Sequence, residues 1–164
     1  MAFSPWAAGE RITAARLNEI SPVWATWVPE WSTNTGVNTP SFGNATISAR
    51  YTQTADLVVC RLEITFGSTT SFGGGGASDN WRFTLPVVAA STALIAGYGE
   101  AQDASAVDRY PLRPRLTSTE HLELETSGGA TNGAGVSTGL IDAVSPFIWA
   151  NGDAIRALFQ YEAG

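Results

Sequence analysis

The chain contains a single histidine, His121, on which histidine-based catalytic chemistry would have to rest. A Ser-His-Asp triad would need this residue, yet the sequence lacks the G-x-S-x-G motif that presents a nucleophilic serine. In the stretch STEHLELET, His121 alternates with Leu122 and Leu124 and shares the polar face of a strand with Glu123 and Glu125. We therefore interpret His121 as a solvent-facing strand residue and expect no hydrolytic nucleophile.

Carboxylates are the second group that could perform chemistry. Glycoside hydrolysis needs two carboxyl groups about 5–10 Å apart in a cleft. The acidic residues between Glu100 and Glu162 are instead scattered over polar strand faces, without the clustering that a cleft would give. A polysaccharide-degrading enzyme is therefore the least favoured function, and we expect the protein not to be an enzyme.

No metal or cofactor site is predicted. The only cysteine, Cys60, lies in the apolar run LVVCRLEITF and is interpreted as a small buried side chain. The glycine-rich stretch FGGGGAS, residues 72–78, lacks the Lys-Ser/Thr pair of a phosphate-binding loop and is interpreted as a flexible connection. No D-x-[DN]-x-[DN]-G calcium loop occurs either.

Net charge and hydropathy limit the partners. The formal charge is −6, whereas nucleic-acid binding requires clustered positive charge, so no nucleic-acid partner is expected. No apolar run approaches the roughly 20 residues of a membrane helix, and the first residues do not resemble a signal peptide. We therefore expect a soluble protein without a membrane partner.

The six tryptophans are unevenly distributed. Trp81 and Trp149 adjoin predicted strands and are interpreted as core anchors. Four others lie near the N-terminus, outside the clear strand pattern, namely Trp6, Trp24, Trp27 and Trp31. Isolated domains avoid large exposed apolar patches, so we interpret this group as a subunit interface. Stacking of these rings on sugars is the alternative.

From residue 44 onward the chain reads as short strands separated by glycine-rich and polar turns. Alternation predicts a hairpin from NATISARYTQ and LVVCRLEITF, and the closing PFIWANGDAIRALFQYEA predicts two strands around NGD. The prolines in RYPLRPRLTS, and those around Trp24 and Trp27, favour edge positions. Eight or nine strands at this spacing predict an all-β fold, specifically an antiparallel, jelly-roll-like β-sandwich.

A short helix is predicted over residues 13–20. Thr13 is a suitable N-cap, and Ser21-Pro22 ends the pattern. Its large apolar residues are Ile12, Leu17 and Ile20, and a helix this short needs another surface to hold it. The predicted organisation is an attachment segment over residues 1–31, followed by a β-domain over residues 32–164.

Several motifs together resemble virion proteins of tailed bacteriophages. GERITAARLNEI is similar to the segment that begins many tail-fibre, appendage and minor tail proteins. WSTNTGVNTPSFGNATISARYTQTADLVVCRLEITFGSTTSFGG, followed by WRFTLP, resembles a β-domain of phages that infect actinobacteria. PFIWANGDAIRALFQYEA resembles the last hairpin of that domain.

This resemblance implies a non-enzymatic structural protein of the virion, assembled in the host cytoplasm and forming a homotrimer. The N-terminal segment would dock to other virion proteins of the tail or capsid, as in a fibre or decoration protein, and the β-domain would project. The alternative function is a host-surface glycan- or receptor-binding module acting through loops 67–79 or 127–139. The residues then expected to face the receptor are Thr69, Thr70, Phe72 and Asp79.

Overall fold

The structure is a computed structural model that describes residues 7–74, 79–92, 97–127 and 139–164. One short helix precedes nine strands in this part of the chain. In order, the elements are α1 (Ala14–Glu19), β1 (Ala25–Thr26), β2 (Trp31–Thr33), β3 (Thr46–Thr54), β4 (Leu57–Thr65), β5 (Trp81–Thr84), β6 (Gly97–Asp103), β7 (Asp108–Leu116), β8 (His121–Thr126) and β9 (Ala154–Glu162).

Hydrogen bonds join the nine strands into one curled sheet with the order β1-β3-β4-β9-β6-β7-β8-β5-β2. All neighbouring strands are antiparallel. The predicted all-β antiparallel class is therefore confirmed. The jelly-roll-like grouping into two packed layers stays a prediction, because the strands follow a single continuous order.

The curl brings the two edges of the sheet together. The edge strands β1 and β2 are separated in sequence only by residues 27–30, so the edges lie no more than roughly 18 Å apart there. The backbone N–H of Trp27 donates to the carbonyl of Ala49 in β3, and its indole N–H donates to the carbonyl of Thr84 in β5, both over 3.1 Å. Trp27 thus closes the seam, and the edge position predicted for this segment is confirmed.

The predicted hairpin of β3 and β4 is confirmed. Its strands pair from Thr46 opposite Thr65 to Thr54 opposite Leu57. Ala55 adopts a φ of 53° in the turn between them. Alternate side chains of β4 are buried, as the sequence pattern predicts: Val58, Cys60, Leu62 and Ile64.

The prediction of a hairpin at residues 146–162 is wrong in its first half. Only β9 is a strand, and it lies at the centre of the sheet between β4 and β6. Residues 146–149 instead fold back onto the core, where the indole N–H of Trp149 donates to the carbonyls of Asp142 and Ser145. These bonds and the burial of the ring replace pairing with β9.

The edge position predicted for the proline-containing strand β7 is also wrong, because β7 lies between β6 and β8. Pro111 pairs opposite Glu100, and Pro114 opposite Leu124. Each proline removes one backbone donor. Burial of Leu112 and Leu116 on the inner face offsets those missing hydrogen bonds.

Aromatic rings fill the interior of the curl. The indole of Trp31 lies 4.7 Å from that of Trp81 and 5.4 Å from the ring of Phe66, measured between ring centroids. Trp81 in turn lies 5.1 Å from Trp149. The interpretation of Trp81 and Trp149 as core anchors is therefore confirmed, since both are buried. This core leaves the opposite face of the sheet for polar and charged side chains.

Candidate attachment segment and outer-face groove

The helix α1 forms because local bonds satisfy both of its ends. Thr13 caps the N-terminus by accepting a hydrogen bond from the backbone N–H of Arg16 over 3.2 Å. At the other end, the Ser21 hydroxyl donates to the carbonyl of Leu17. An ion pair of 2.7 Å between Arg16 and Glu10 supports the approach to the helix and lowers the pKa of the Glu10 carboxyl. These contacts fix the segment locally.

The large apolar side chains around α1 are uncovered. Ile12 is 62% exposed, an unusual state for an isoleucine in a folded chain. The other exposed apolar side chains in this segment are Leu17, Ile20, Val23 and Trp24. We call residues 10–24 the attachment segment. An uncovered apolar set of this kind is typical of a protein-protein interface.

The four N-terminal tryptophans do not form one exposed group. Trp24 is exposed and accepts a hydrogen bond from Arg50 at its carbonyl, with the guanidinium 6.0 Å from its ring centroid. Trp27 is half-buried in the seam, and Trp31 is only 6% exposed. The assignment of Trp31 to an exposed interface is therefore wrong, because it belongs to the core. Trp6 lies outside the described residues.

The predicted boundary between attachment segment and β-domain shifts accordingly. Strand β1 pairs with β3, and β2 pairs with β5, so residues 25–26 and 31–33 are part of the sheet. The boundary predicted at residue 31 thus falls inside β2. Sequence reasoning missed this because two- and three-residue strands give no alternation to read.

The loop predicted to face a receptor is bound to its own neighbours. The Thr69 backbone N–H donates to Asn44 over 2.8 Å, and its hydroxyl also contacts Asn44. Thr70 is half-buried and donates its hydroxyl to the carbonyl of Phe42. Of the four predicted residues, only Thr69 is exposed. Residues 75–78 of this loop and residues 128–138 of the other predicted loop lie outside the described part of the chain.

Phe72 and Asp79 face inward, contrary to the prediction. The Phe72 ring lies 5.0 Å from that of Phe66, between centroids, within the aromatic core. Asp79 is buried, and its carboxylate accepts hydrogen bonds from the Thr35 hydroxyl and the Asn38 amide. These two bonds lower the pKa of Asp79. Both residues hold the loop against the core and are not available to a receptor.

A second candidate site, missed from the sequence, lies on the outer face of the sheet. It is an open groove of about 370 Å³ where β4, β9 and β6 lie side by side. We call it the outer-face groove. Its lining residues are Arg61, Glu63, Tyr98, Gly99, Glu100, Arg156, Ala157 and Leu158. The strands that supply these residues are far apart in sequence, so no local sequence motif predicts the groove.

Strand register arranges the groove in two rows. Leu158 pairs opposite both Arg61 and Tyr98, which makes a row of cation, aliphatic chain and aromatic ring. In the next row Arg156 pairs opposite both Glu63 and Glu100. Ion pairs join Arg61 to Glu63 over 2.6 Å and Arg156 to Glu100 over 2.7 Å. The groove therefore offers an aliphatic chain and an aromatic ring beside charged donors and acceptors.

Other chemistry has little support within the described ranges. No three His, Cys, Asp or Glu residues there are grouped so that they could hold a metal ion. His121 shares a hydrogen bond of 3.0 Å between its Nδ1 and the Ser118 hydroxyl. Cys60 is buried, which raises the pKa of its thiol to about 12 and keeps it protonated. The helix described is too short to cross a membrane.

Comparisons with protein-family models, with curated proteins and with solved structures found no significant match to this chain. They therefore assign no family. The resemblance to phage virion proteins depends on the sequence motifs and enters below as a proposal.

Proposed function

We propose that the protein is a non-enzymatic structural component of a bacteriophage virion that docks to the particle through its attachment segment. The observation that carries this proposal is the uncovered apolar set of Ile12, Leu17 and Ile20 on and beside a capped helix. Burying such side chains on another protein contributes about 25 cal/mol for each Å² of apolar surface removed from water. A free monomer would leave this stabilisation unused.

The curled sheet is, in this proposal, the domain that projects from the particle. Its jelly-roll-like sandwich character and the homotrimeric state belong to the proposal, as the motif resemblance implies. The partners are then further copies of this chain and other virion proteins of the tail or capsid. The location is the virion, after assembly in the host cytoplasm.

The attachment segment can be tested by removing its apolar side chains while keeping the helix. We expect the double variant Leu17→Gln/Ile20→Gln to enter particles at least tenfold less than the wild type. Glutamine is a good helix former, so α1 itself is retained. The measurement is immunodetection of the protein in particles purified by density gradient from hosts that express each variant.

A matched control is Ile148→Gln, which changes an exposed apolar side chain remote in sequence from the attachment segment. We expect this variant to enter particles normally. A wild-type protein that never sediments with particles would overturn the proposed function. Equal incorporation of the double variant and the control would overturn the role of the segment.

A further inference from the structure

We propose that the outer-face groove binds a sugar ring of an uncharged glycan. This site differs from the attachment segment and from both loops that the sequence suggested. The proposal does not depend on the virion role, because the groove lies on the sheet itself. Three features carry it: an exposed aromatic ring, a balanced set of charged groups, and a size suited to a small ligand.

The aromatic ring is that of Tyr98. It is 69% exposed, the most exposed tyrosine among those described, although it lies in a strand that has neighbours on both sides. Beside it, Leu158 adds an aliphatic surface from the neighbouring strand. A flat apolar surface of this kind suits the C–H face of a pyranose, while the phenol hydroxyl remains available for hydrogen bonding.

The charged side chains of the two rows place hydrogen-bond donors beside acceptors. Arg61 and Arg156 balance Glu63 and Glu100, so these groups of the groove carry no net charge. A charged ligand would have to compete with ion pairs that already exist. Sugar hydroxyls both donate and accept, so they can bond carboxylate and guanidinium together without separating them. The charge pattern therefore favours a neutral polyhydroxylated ligand over a phosphate or an acidic peptide.

The groove is preorganised by the backbone. A Cβ at Gly97 would collide with the carbonyl oxygen of Leu158, and one at Gly99 would lie 2.6 Å from the carbonyl oxygen of Arg156. The glycines thus allow β6 to approach β9 closely, which holds Tyr98 next to Leu158. In the adjacent row the Arg156 guanidinium donates to Glu100 over 2.7 Å and to the side-chain oxygen of Gln102 over 2.8 Å, which holds it in place. Binding would then lose little side-chain entropy.

The size of the groove indicates how much ligand it holds. At about 370 Å³ it falls near the lower end of the 300–1,000 Å³ typical of ligand sites. One or two sugar rings fit this range. A stable interface with a second protein copy involves roughly 20–30 residues on each partner, whereas eight residues line this groove.

The test uses the full chain and a set of neutral sugars as probes: glucose, galactose, mannose, arabinose and N-acetylglucosamine. Each sugar is titrated to about 100 mM in isothermal titration calorimetry. We expect at least one of the five sugars to bind with a millimolar dissociation constant. Tyr98→Ala should weaken that binding at least tenfold, and Glu100→Gln should weaken it severalfold. Tyr98→Phe should retain most of it, because the ring remains.

The matched controls are Ile148→Ala and Glu30→Gln, which alter an exposed apolar and an exposed acidic residue away from the groove lining. Both should bind like the wild type. NMR shift changes on titrating the unmodified protein locate the sugar even where a variant fails to fold. Absence of binding by all five sugars would overturn the proposal. So would shift changes outside β4, β6 and β9, or binding unaffected by Tyr98→Ala.

Discussion

At the residue scale, the ion pair between Arg82 and Glu123 differs from the others on the sheet because one partner is buried. Glu123 is only 2% exposed, although sequence alternation placed it on the solvent face. Its carboxylate lies 2.6 Å from the Arg82 guanidinium, on the neighbouring strand. A buried carboxylate that loses its cation is strongly destabilising, so this pair holds β5 on β8.

We therefore expect Arg82→Ala to lower the free energy of unfolding by about 3 kcal/mol. The control Arg61→Ala breaks an exposed pair with Glu63 and should cost less than about 1 kcal/mol. Urea denaturation followed by tryptophan fluorescence measures both. The double variant Arg82→Ala/Glu123→Leu should recover part of the loss, and equal effects of the two arginine substitutions would contradict the argument.

The lowered pKa of Asp79 predicts that the stability of the protein decreases in acid. Its bonds from Thr35 and Asn38 lower the pKa of the folded-state carboxyl below the unfolded value of about 3.9. The stabilisation is therefore fully present above about pH 4 and is lost as the pH falls through the lower folded-state pKa. Asp79→Asn should destabilise the protein most at neutral pH, with a smaller difference from the wild type at pH 3.

The pKa of Asp142 is shifted in the opposite direction to that of Asp79. Burial raises the pKa of this carboxyl, so folding favours its protonated form and its contribution improves as the pH falls. Denaturation of Asp79→Asn and Asp142→Asn between pH 3 and pH 7 should thus give differences from the wild type that change in opposite directions. Parallel changes would contradict the two assignments.

Sequence alternation predicted the inner face of β4 but not the environment of each tryptophan. Alternation in β4 predicts its buried side chains correctly, because period two is a direct consequence of strand geometry. Trp24 and Trp31 have similar sequence surroundings, yet one is exposed and the other buried. Their difference arises from the pairing of β2 with β5, a contact between distant segments.

At the element scale, the seam between β1 and β2 depends on Trp27. Its indole donates to Thr84 in β5 while its ring contacts Phe159 in β9, with 6.4 Å between centroids. One side chain thus links an edge strand to the centre of the sheet. Substitutions here test how the curl is held.

We expect Trp27→Phe to lower the free energy of unfolding by about 1 kcal/mol, because the hydrogen bond is lost and most of the ring contact is kept. The matched control is Trp24→Phe, at an exposed site, where the change should stay within about 0.5 kcal/mol. Thermal or urea unfolding measures both. A larger loss for Trp24→Phe would show that the seam has been assigned to the wrong residue.

Errors in the predicted elements have a common physical origin. The prolines of β7 and the NGD turn before β9 are strong local signals, and both gave wrong neighbours. Local rules describe what a segment prefers, whereas burial of Leu112 or Trp149 depends on the whole fold. The outer-face groove was missed for the same reason, since three separate strands form it.

At the scale of the whole molecule, the sheet is held by pairings between distant parts of the chain. Cys60 in β4 lies opposite Phe159 in β9, and Trp31 in β2 lies opposite Phe83 in β5. Such non-local contacts close long loops before they contribute stabilisation, which makes folding slow.

We therefore expect refolding from urea to take milliseconds to seconds, as measured by stopped-flow tryptophan fluorescence. The buried Trp31, Trp81 and Trp149 report formation of the core. The variant Phe159→Leu should fold more slowly if β9 docks in the transition state, and it should unfold faster if β9 docks afterwards. Refolding complete within microseconds would contradict the topology.

The central position of β9 also has a consequence for synthesis of the protein in the cell. During translation, β4 leaves the ribosome well before β9, and the intervening chain takes on the order of 10 s to make. Until β9 is made, the edge of β4 that will receive it is unpaired, and so is that of β6 once β6 has been made. Unpaired edges invite pairing with other chains. Nascent copies made on one messenger RNA can therefore pair with each other at these edges. The yield of folded protein should rise when fewer ribosomes translate each messenger RNA at the same time.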